Sequence, residues 1–211
     1  MTESERIMKT YTMKKVHGEP DWDTIPRMHL DEQMWIKNDT VTATAQVCWD
    51  EEALYIRLQA KEKDLRIQET GLTAEVCLDS CLEFFVRPTE KLDYFNFEFN
   101  PKCVMYLGYG NGVNGAAELI RLLVRNPESV FCTQSEIDPE GWQLRFRIPY
   151  NFIRRFFPDF APKEGGQMYA NAYKCGNIER NNHFLAWNPV NVALHSFHRP
   201  QEFGCLIFGG K

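Results

Sequence analysis

Two carboxylates and one loop carry most of the chemistry in this sequence. CLEFFV (81–86) sets Glu83 between Leu82 and Phe84 in an otherwise apolar run, where an acid needs a partner. DYFNFEFN (93–100) alternates, so Phe95, Phe97 and Phe99 share one strand face while Asn96, Glu98 and Asn100 share the other. That polar trio is either the floor of a concave face or a solvated strand surface. On neighbouring strands Glu83 and Glu98 would form a carboxylate pair, and glycoside hydrolysis needs two acids about 5–10 Å apart across the scissile bond. Both would equally accept hydrogen bonds from sugar hydroxyls, or Glu83 would simply pair with an arginine. A third stretch, HSFHRPQEFG (195–204), crowds His195, Phe197, His198, Arg199 and Pro200 together. It reads as a catalytic cluster, a metal site or the wall of a cleft.

Several chemistries lose support on spacing. His195 and His198 lie three apart on a loop, with His183 upstream, but no HExxH, paired CxxC or EF-hand loop accompanies them. Calcium held by loop carboxylates and carbonyls has no such signature and stays open. There is no GxSxG, and the cysteines carry no local nucleophile signature. GYGNGVNG (108–115) lacks the strand-to-helix context of a dinucleotide fingerprint and reads as a hairpin loop.

The elements that must position these residues are strands. VTATAQVCW (41–49) puts Val41, Ala43, Ala45, Val47 and Trp49 on one face, and after the turn signal DEE the run ALYIRLQAK repeats the alternation, which predicts an antiparallel hairpin. Further strands are predicted at 81–87, 93–100, 103–107, near 130, and at 141–149, 167–175, 183–187 and 203–208. GAAELIRLLV (115–124) and YNFIRRFFPDF (150–160) show three- and four-residue apolar spacing, which predicts two short edge helices. Many short strands with brief helices imply two packed antiparallel sheets, an all-β sandwich. At 211 residues the chain is expected to be a single domain, with 1–20 an ordered lead-in carrying one edge strand and 21–208 the sandwich.

Composition narrows the partners. Twenty-four basic against 29 acidic residues give a net charge of -5, which argues against nucleic acid, whose binding draws on clustered Lys and Arg. Mean hydropathy is -0.43, and the N-terminal segment mixes charges without the apolar run of a secretory signal, so neither membrane association nor export is expected. The seven cysteines are odd in number, which points to free thiols in a reducing, cytoplasmic setting.

WDTIP (22–26), VCWDEEALYIRL, DSCLEFF, YFNFEFN, GWQLRFRIP, YANAYKC, LAWNPV and HRPQEFG, in that order, resemble family 9-like carbohydrate-binding modules over about residues 20–208. The resemblance implies a β-sandwich of the DOMON-like type, an immunoglobulin-like jelly-roll arrangement, that grips a saccharide between two aromatic rings, with structural calcium in some members. By position it places one aromatic wall at Phe197, with His195 beside it, and the other at Cys77, where the ring is replaced by a thiol. Glu83 keeps the family's acid, Glu98 stands where a relative has arginine, and Tyr173 where it has an amide; beside these, Asn100 and Asn171 are further candidate polar contacts. Arg199 and Pro200 are expected to anchor the loop, and Trp187 to lie in the core. The implied function is non-catalytic saccharide binding. A hydrolase using Glu83 and Glu98, and a protein-interaction sandwich whose sugar site has decayed, remain as rivals.

Overall fold

The computed structural model describes residues 7–112, 118–191, 193 and 195–210. Among the described residues fourteen strands form two facing sheets. The back sheet runs in the order β10 (Gln134–Asp138), β11 (Gly141–Pro149), β5 (Ala53–Lys61), β4 (Thr42–Trp49), with β2 (Met28–His29) on the far edge of β4. The front sheet runs β14 (Gly204–Phe208), β12 (Gln167–Gly176), β6 (Cys81–Arg87), β7 (Tyr94–Phe99), β8 (Met105–Gly110), β9 (Ile120–Arg121). β13 (His183–Ala186) continues along the edge of β12 beyond β14, and β3 (Glu32–Gln33) pairs with β13.

The lead-in strand β1 (Thr10–Lys15) closes one side of the sandwich. Its first four residues run parallel to β14 and its last two run parallel to β4, so it is the terminal strand of both sheets at once. Most other pairings are antiparallel, and the expected hairpin joins β4 to β5 from Thr42↔Lys61 to Trp49↔Leu54.

The period-two pattern decides what fills the interior. Val47, Ile56, Leu58, Leu144 and Ile148 from the back sheet meet Leu82, Phe84, Phe95, Phe97 and Phe99 from the front, all buried. Each such side chain contributes about 1.5–3 kcal/mol on leaving water. A buried ion pair interrupts the apolar layer. Lys174 faces inward on β12, fully buried, and its Nζ lies 3.0 Å from Glu62 Oε2.

Three predicted elements differ from the structure. The helix expected over 115–124 is absent from the part described: Ile120 and Arg121 pair with Tyr109 and Gly108 as strand β9, while 115–117 lie outside the described residues. The helix expected over 150–160 is a single α-helical turn, α2 (Tyr150–Ile153), because Arg154 onward breaks into turns before Pro158. The strand expected near 130 is helix α1 (Pro127–Phe131), opened by proline at its first position and closed by Cys132 in the left-handed region. Phe131 is the reason: it packs edge-on against both Phe97 and Phe152 and plugs one end of the core.

Candidate functional site

The outer face of the front sheet is where the sequence's candidates converge. Across β12, β6, β7 and β8 one row reads Tyr173, Glu83, Glu98, Tyr106, each directly opposite the next. The adjacent row reads Asn171, Phe85, Asn96, Gly108. Opposed residues on neighbouring strands hold their Cβ atoms about 5 Å apart, so Glu83 and Glu98 do form a carboxylate pair.

This face is not solvated. All seven residues of β6 and all six of β7 are buried, because distant segments fold over them. Glu83 is 3% exposed and Glu98 6%. Burial pushes both carboxyls well above the usual range; the neighbouring Cys175 adds to the effect on Glu83, and the charge of Glu83 adds to it on Glu98. Cys175 Sγ donates to Glu83 Oε1 at 3.2 Å, and Asn96 Nδ2 donates to Glu98 Oε1 at 2.7 Å. Gly108 makes room for that asparagine, since a Cβ there would stand 2.0 Å from Asn96 Oδ1. The same Oδ1 is buried and finds no donor among the described residues.

One wall is a stack of rings. Phe197 lies flat on Tyr173, centroids 4.2 Å apart at 16°, and Trp35 leans on Phe197 at 5.2 Å. His195 in turn stacks on Trp35 at 5.3 Å and 17°. Beside the stack an open cavity of about 580 Å³ is lined by Gln33, Trp35, Ile36, Lys37 and His195. Phe197 is therefore the inner layer of the wall, at 8% exposure, and the rings that meet the cavity belong to Trp35 and His195. Trp35 carried no signal in sequence. It stands in a loop without periodicity, and only the pairing of β3 with β13 brings that loop to the 195–204 segment.

The opposite wall departs from an aromatic clamp. Cys77 is half-buried on the single 3-10 turn Val76–Leu78, and its carbonyl accepts from Asn177 Nδ2 at 2.8 Å. Tyr106, partly exposed, packs on the same cluster as Cys77, with the Arg121 guanidinium 4.5 Å over its ring and Arg121 paired to Glu75 at 2.9 Å.

Three expected contact residues are engaged within the protein. Asn100 Nδ2 donates to Asp79 Oδ2 at 2.9 Å and to the Glu69 carbonyl at 3.1 Å, pinning the 62–80 segment to the sheet. Asn171 Oδ1 accepts from Ala172 and Asn188 amides, and its Nδ2 donates to the Asn188 carbonyl at 2.9 Å. Tyr173 is fully buried under Phe197, and its hydroxyl donates to the Phe197 carbonyl at 3.1 Å. All three hold the wall in place.

The remaining loop residues act structurally. Arg199 pairs with Glu202 at 2.9 Å, and Pro200 opens the 3-10 turn that leads into β14. Trp187 lies in the core, edge-on to Tyr11. The three histidines sit in separate surroundings. His195 is on the ring stack, His198 Nδ1 is 2.7 Å from the Tyr94 hydroxyl, and His183 is buried beside Glu62 with Nδ1 on the Asn181 carbonyl. Among the described residues the grouping with metal-ligand geometry is instead Cys81, Glu83 and Cys175, whose donor atoms lie within 4.8 Å of one another. Two thiols and one carboxyl do not suit calcium, which takes six to eight oxygens.

The fold has close counterparts. A protein of Bacteroides uniformis proposed to bind carbohydrate superposes with a TM-score of 0.78 at 25% identity, over 96% of this chain and 100% of that one. Two structures of a family 9 carbohydrate-binding module from Caldicellulosiruptor kristjanssonii, in complex with cellotriose and with glucose, give 0.67 and 0.66 at 13% identity, over 96% of this chain and 95% and 97% of theirs. No curated protein matches this chain. The sandwich, the ordered motifs and a family-model match spanning residues 21–208 agree, and the chain belongs to carbohydrate-binding family 9.

Proposed function

We propose that this protein binds a mono- or oligosaccharide without catalysis, at the open cavity beside the Trp35–His195 stack, on the side of the front sheet that carries the Glu83–Glu98 pair. The observation that carries the reading is the juxtaposition itself: a layered aromatic wall resting on Tyr173, whose cross-strand neighbour is Glu83 and then Glu98. Ring faces match the apolar C–H face of a pyranose, and the acids match its hydroxyls. Family 9 modules are typically non-catalytic, and the Bacteroides and Caldicellulosiruptor neighbours point to saccharide as the ligand class. The chemistry agrees, because a glycosidase needs one of its two acids ionised as nucleophile or base, and burial drives both carboxyls here towards the neutral form. A neutral carboxyl still donates and accepts hydrogen bonds.

One partly open wall and a few hydroxyl contacts support an affinity in the micromolar to millimolar range, on the order of −4 to −8 kcal/mol. Calorimetric titration with glucose and cellotriose, then with a broader saccharide panel, tests this. The expected result is binding that weakens about tenfold in Trp35→Ala and in Glu98→Gln. A folded protein silent across the panel would overturn the reading in favour of a protein-interaction sandwich.

A further inference from the structure

Cys81, Glu83 and Cys175 are brought together in a way that saccharide binding does not require. Cys81 and Glu83 are two apart on β6, which puts both on its outer face, and the antiparallel neighbour β12 sets Cys175 directly opposite Cys81. Two sulfurs and one carboxylate oxygen then lie within 4.8 Å of one another, with Cys175 Sγ 3.2 Å from Glu83 Oε1. In a tetrahedral zinc site, with Zn–S about 2.3 Å and Zn–O about 2.1 Å, two sulfurs stand about 3.8 Å apart and sulfur and oxygen about 3.6 Å. With the three donor atoms within 4.8 Å of one another, small side-chain shifts would bring them to that cage.

The surroundings of Cys48 and Cys205 are a useful contrast. Both are buried thiols that feel an acid, Asp50 for Cys48 and Glu90 for Cys205, only through its charge, and they behave as small hydrophobes. At the β6–β12 pair a carboxyl is aimed at the thiols instead, and among the described residues no lysine, arginine or histidine forms an ion pair with it. The nearby Lys174 belongs to the other face of β12, where it is committed to Glu62. Three groups that lose protons on metal binding are thus gathered in a buried place where the charge of Lys174 reaches Glu83 and Cys175 only from the other face of the strand, and a divalent cation would supply a direct one. One side of the group faces Cys77, whose carbonyl oxygen is 3.8 Å from Cys175 Sγ.

We infer that Cys81, Cys175 and Glu83 form a three-ligand site for a thiophilic divalent cation, zinc above all, with its fourth position directed towards Cys77. Two thiolates select a borderline-soft ion over calcium or magnesium. Binding exchanges the thiol and carboxyl protons for the cation, and those protons pass to solvent with no change of oxidation state. The inference does not depend on the saccharide reading, because its readout needs no sugar.

The test is a titration of reduced, chelator-stripped protein with cobalt(II), followed by displacement with zinc. The expected result is one equivalent of cobalt giving thiolate charge-transfer bands in the near ultraviolet and tetrahedral d–d bands in the visible, all bleached by zinc. Cys81→Ser and Cys175→Ser should each weaken binding at least 100-fold, while Cys205→Ser should leave it unchanged. Glu83→Gln, nearly isosteric, should shift the cobalt bands and keeps the test informative if a serine variant folds poorly. Absence of thiolate bands in the folded parent, or equal affinity in Cys81→Ser, would overturn the inference. So would a non-reduced protein that is 2 Da lighter, yields a linked Cys81–Cys175 peptide and binds no cobalt after reduction, which would identify the two thiols as a redox pair instead.

Discussion

Lys174 Nζ lies 3.0 Å from Glu62 Oε2 in the layer between the two sheets, and neither side chain reaches water. Glu62 also accepts from Ser80 Oγ at 2.9 Å and from Trp142 Nε1 at 3.2 Å, so a single carboxylate ties β12, β11 and the 62–80 segment together. That segment carries Cys77, and its pinning by Asp79 and Asn100 sets the rim of the site. Removing one partner of a buried pair leaves an uncompensated charge, which costs about 3–5 kcal/mol. Lys174→Met is expected to lower the urea midpoint accordingly, and Glu62→Gln in the same chain should recover part of the loss. Simple additivity of the two substitutions would show that the pair is not coupled.

His183 and His198 make folding sensitive to acid. Burial pushes both imidazoles down to about 4, with the Lys174 charge adding to the effect at His183. The unfolded chain takes up protons near pH 6.5 that the folded chain refuses until about pH 4, so their contribution is complete above pH 6.5 and is lost as pH falls through that window. For His183, which is fully buried, the loss is on the order of 3 kcal/mol. Glu83 and Glu98 act in the opposite sense, since their raised carboxyls stabilise the protonated folded state and lose that contribution as pH rises. The readout is therefore a difference: urea midpoints of the parent minus those of His198→Phe, measured from pH 7.5 to 4.5. The parent should fall faster on acidification, and parallel curves would refute the assignment.

Phe197 and Trp35 should separate by what they support. Phe197→Ala opens a hole between Tyr173 and Trp35, and truncating a buried phenylalanine costs about 3–5 kcal/mol. Trp35→Ala, on a more exposed ring, should leave thermal stability much closer to the parent while removing most saccharide affinity. Equal losses of stability would place Trp35 within the core of the wall and not at its working surface.

Gly204 marks where the HRPQEFG motif must pass a fixed ring. A Cβ there would stand 2.4 Å from Trp187 Cζ3 and 3.0 Å from the Lys9 carbonyl. Trp187 cannot swing away, because it is buried edge-on to Tyr11. Gly204→Ala is expected to cost about 1–3 kcal/mol by overpacking, read as a lower urea midpoint with unchanged slope. Parent-like stability would mean that the β14–β1 seam yields more easily than this contact implies.

What the residues alone determine is the set of faces. Strict alternation places Phe95, Phe97 and Phe99 in the core and Asn96 and Glu98 opposite them, and short aromatic-rich runs locate β6 at Cys81–Arg87 and β11 at Gly141–Pro149, because both are local properties of the strand. The ordered motifs identify the family for the same reason, since each is a short local pattern. Local pattern does not say what lies over a face. The outer side of β6 and β7 is buried because segments 62–80 and 187–203, remote in sequence, fold across it, and that burial decides between the two readings the alternation left open, a polar floor and a solvated strand surface, in favour of a largely buried polar floor. Likewise Phe131 reads as strand until its contacts with Phe97 and Phe152 make a helical turn the better plug. Trp35 joins the site through one short strand pairing, and Cys175 meets Glu83 only through the β6–β12 register. These are contacts between distant residues, and tertiary packing decided them because no local propensity encodes which partner a buried face will meet.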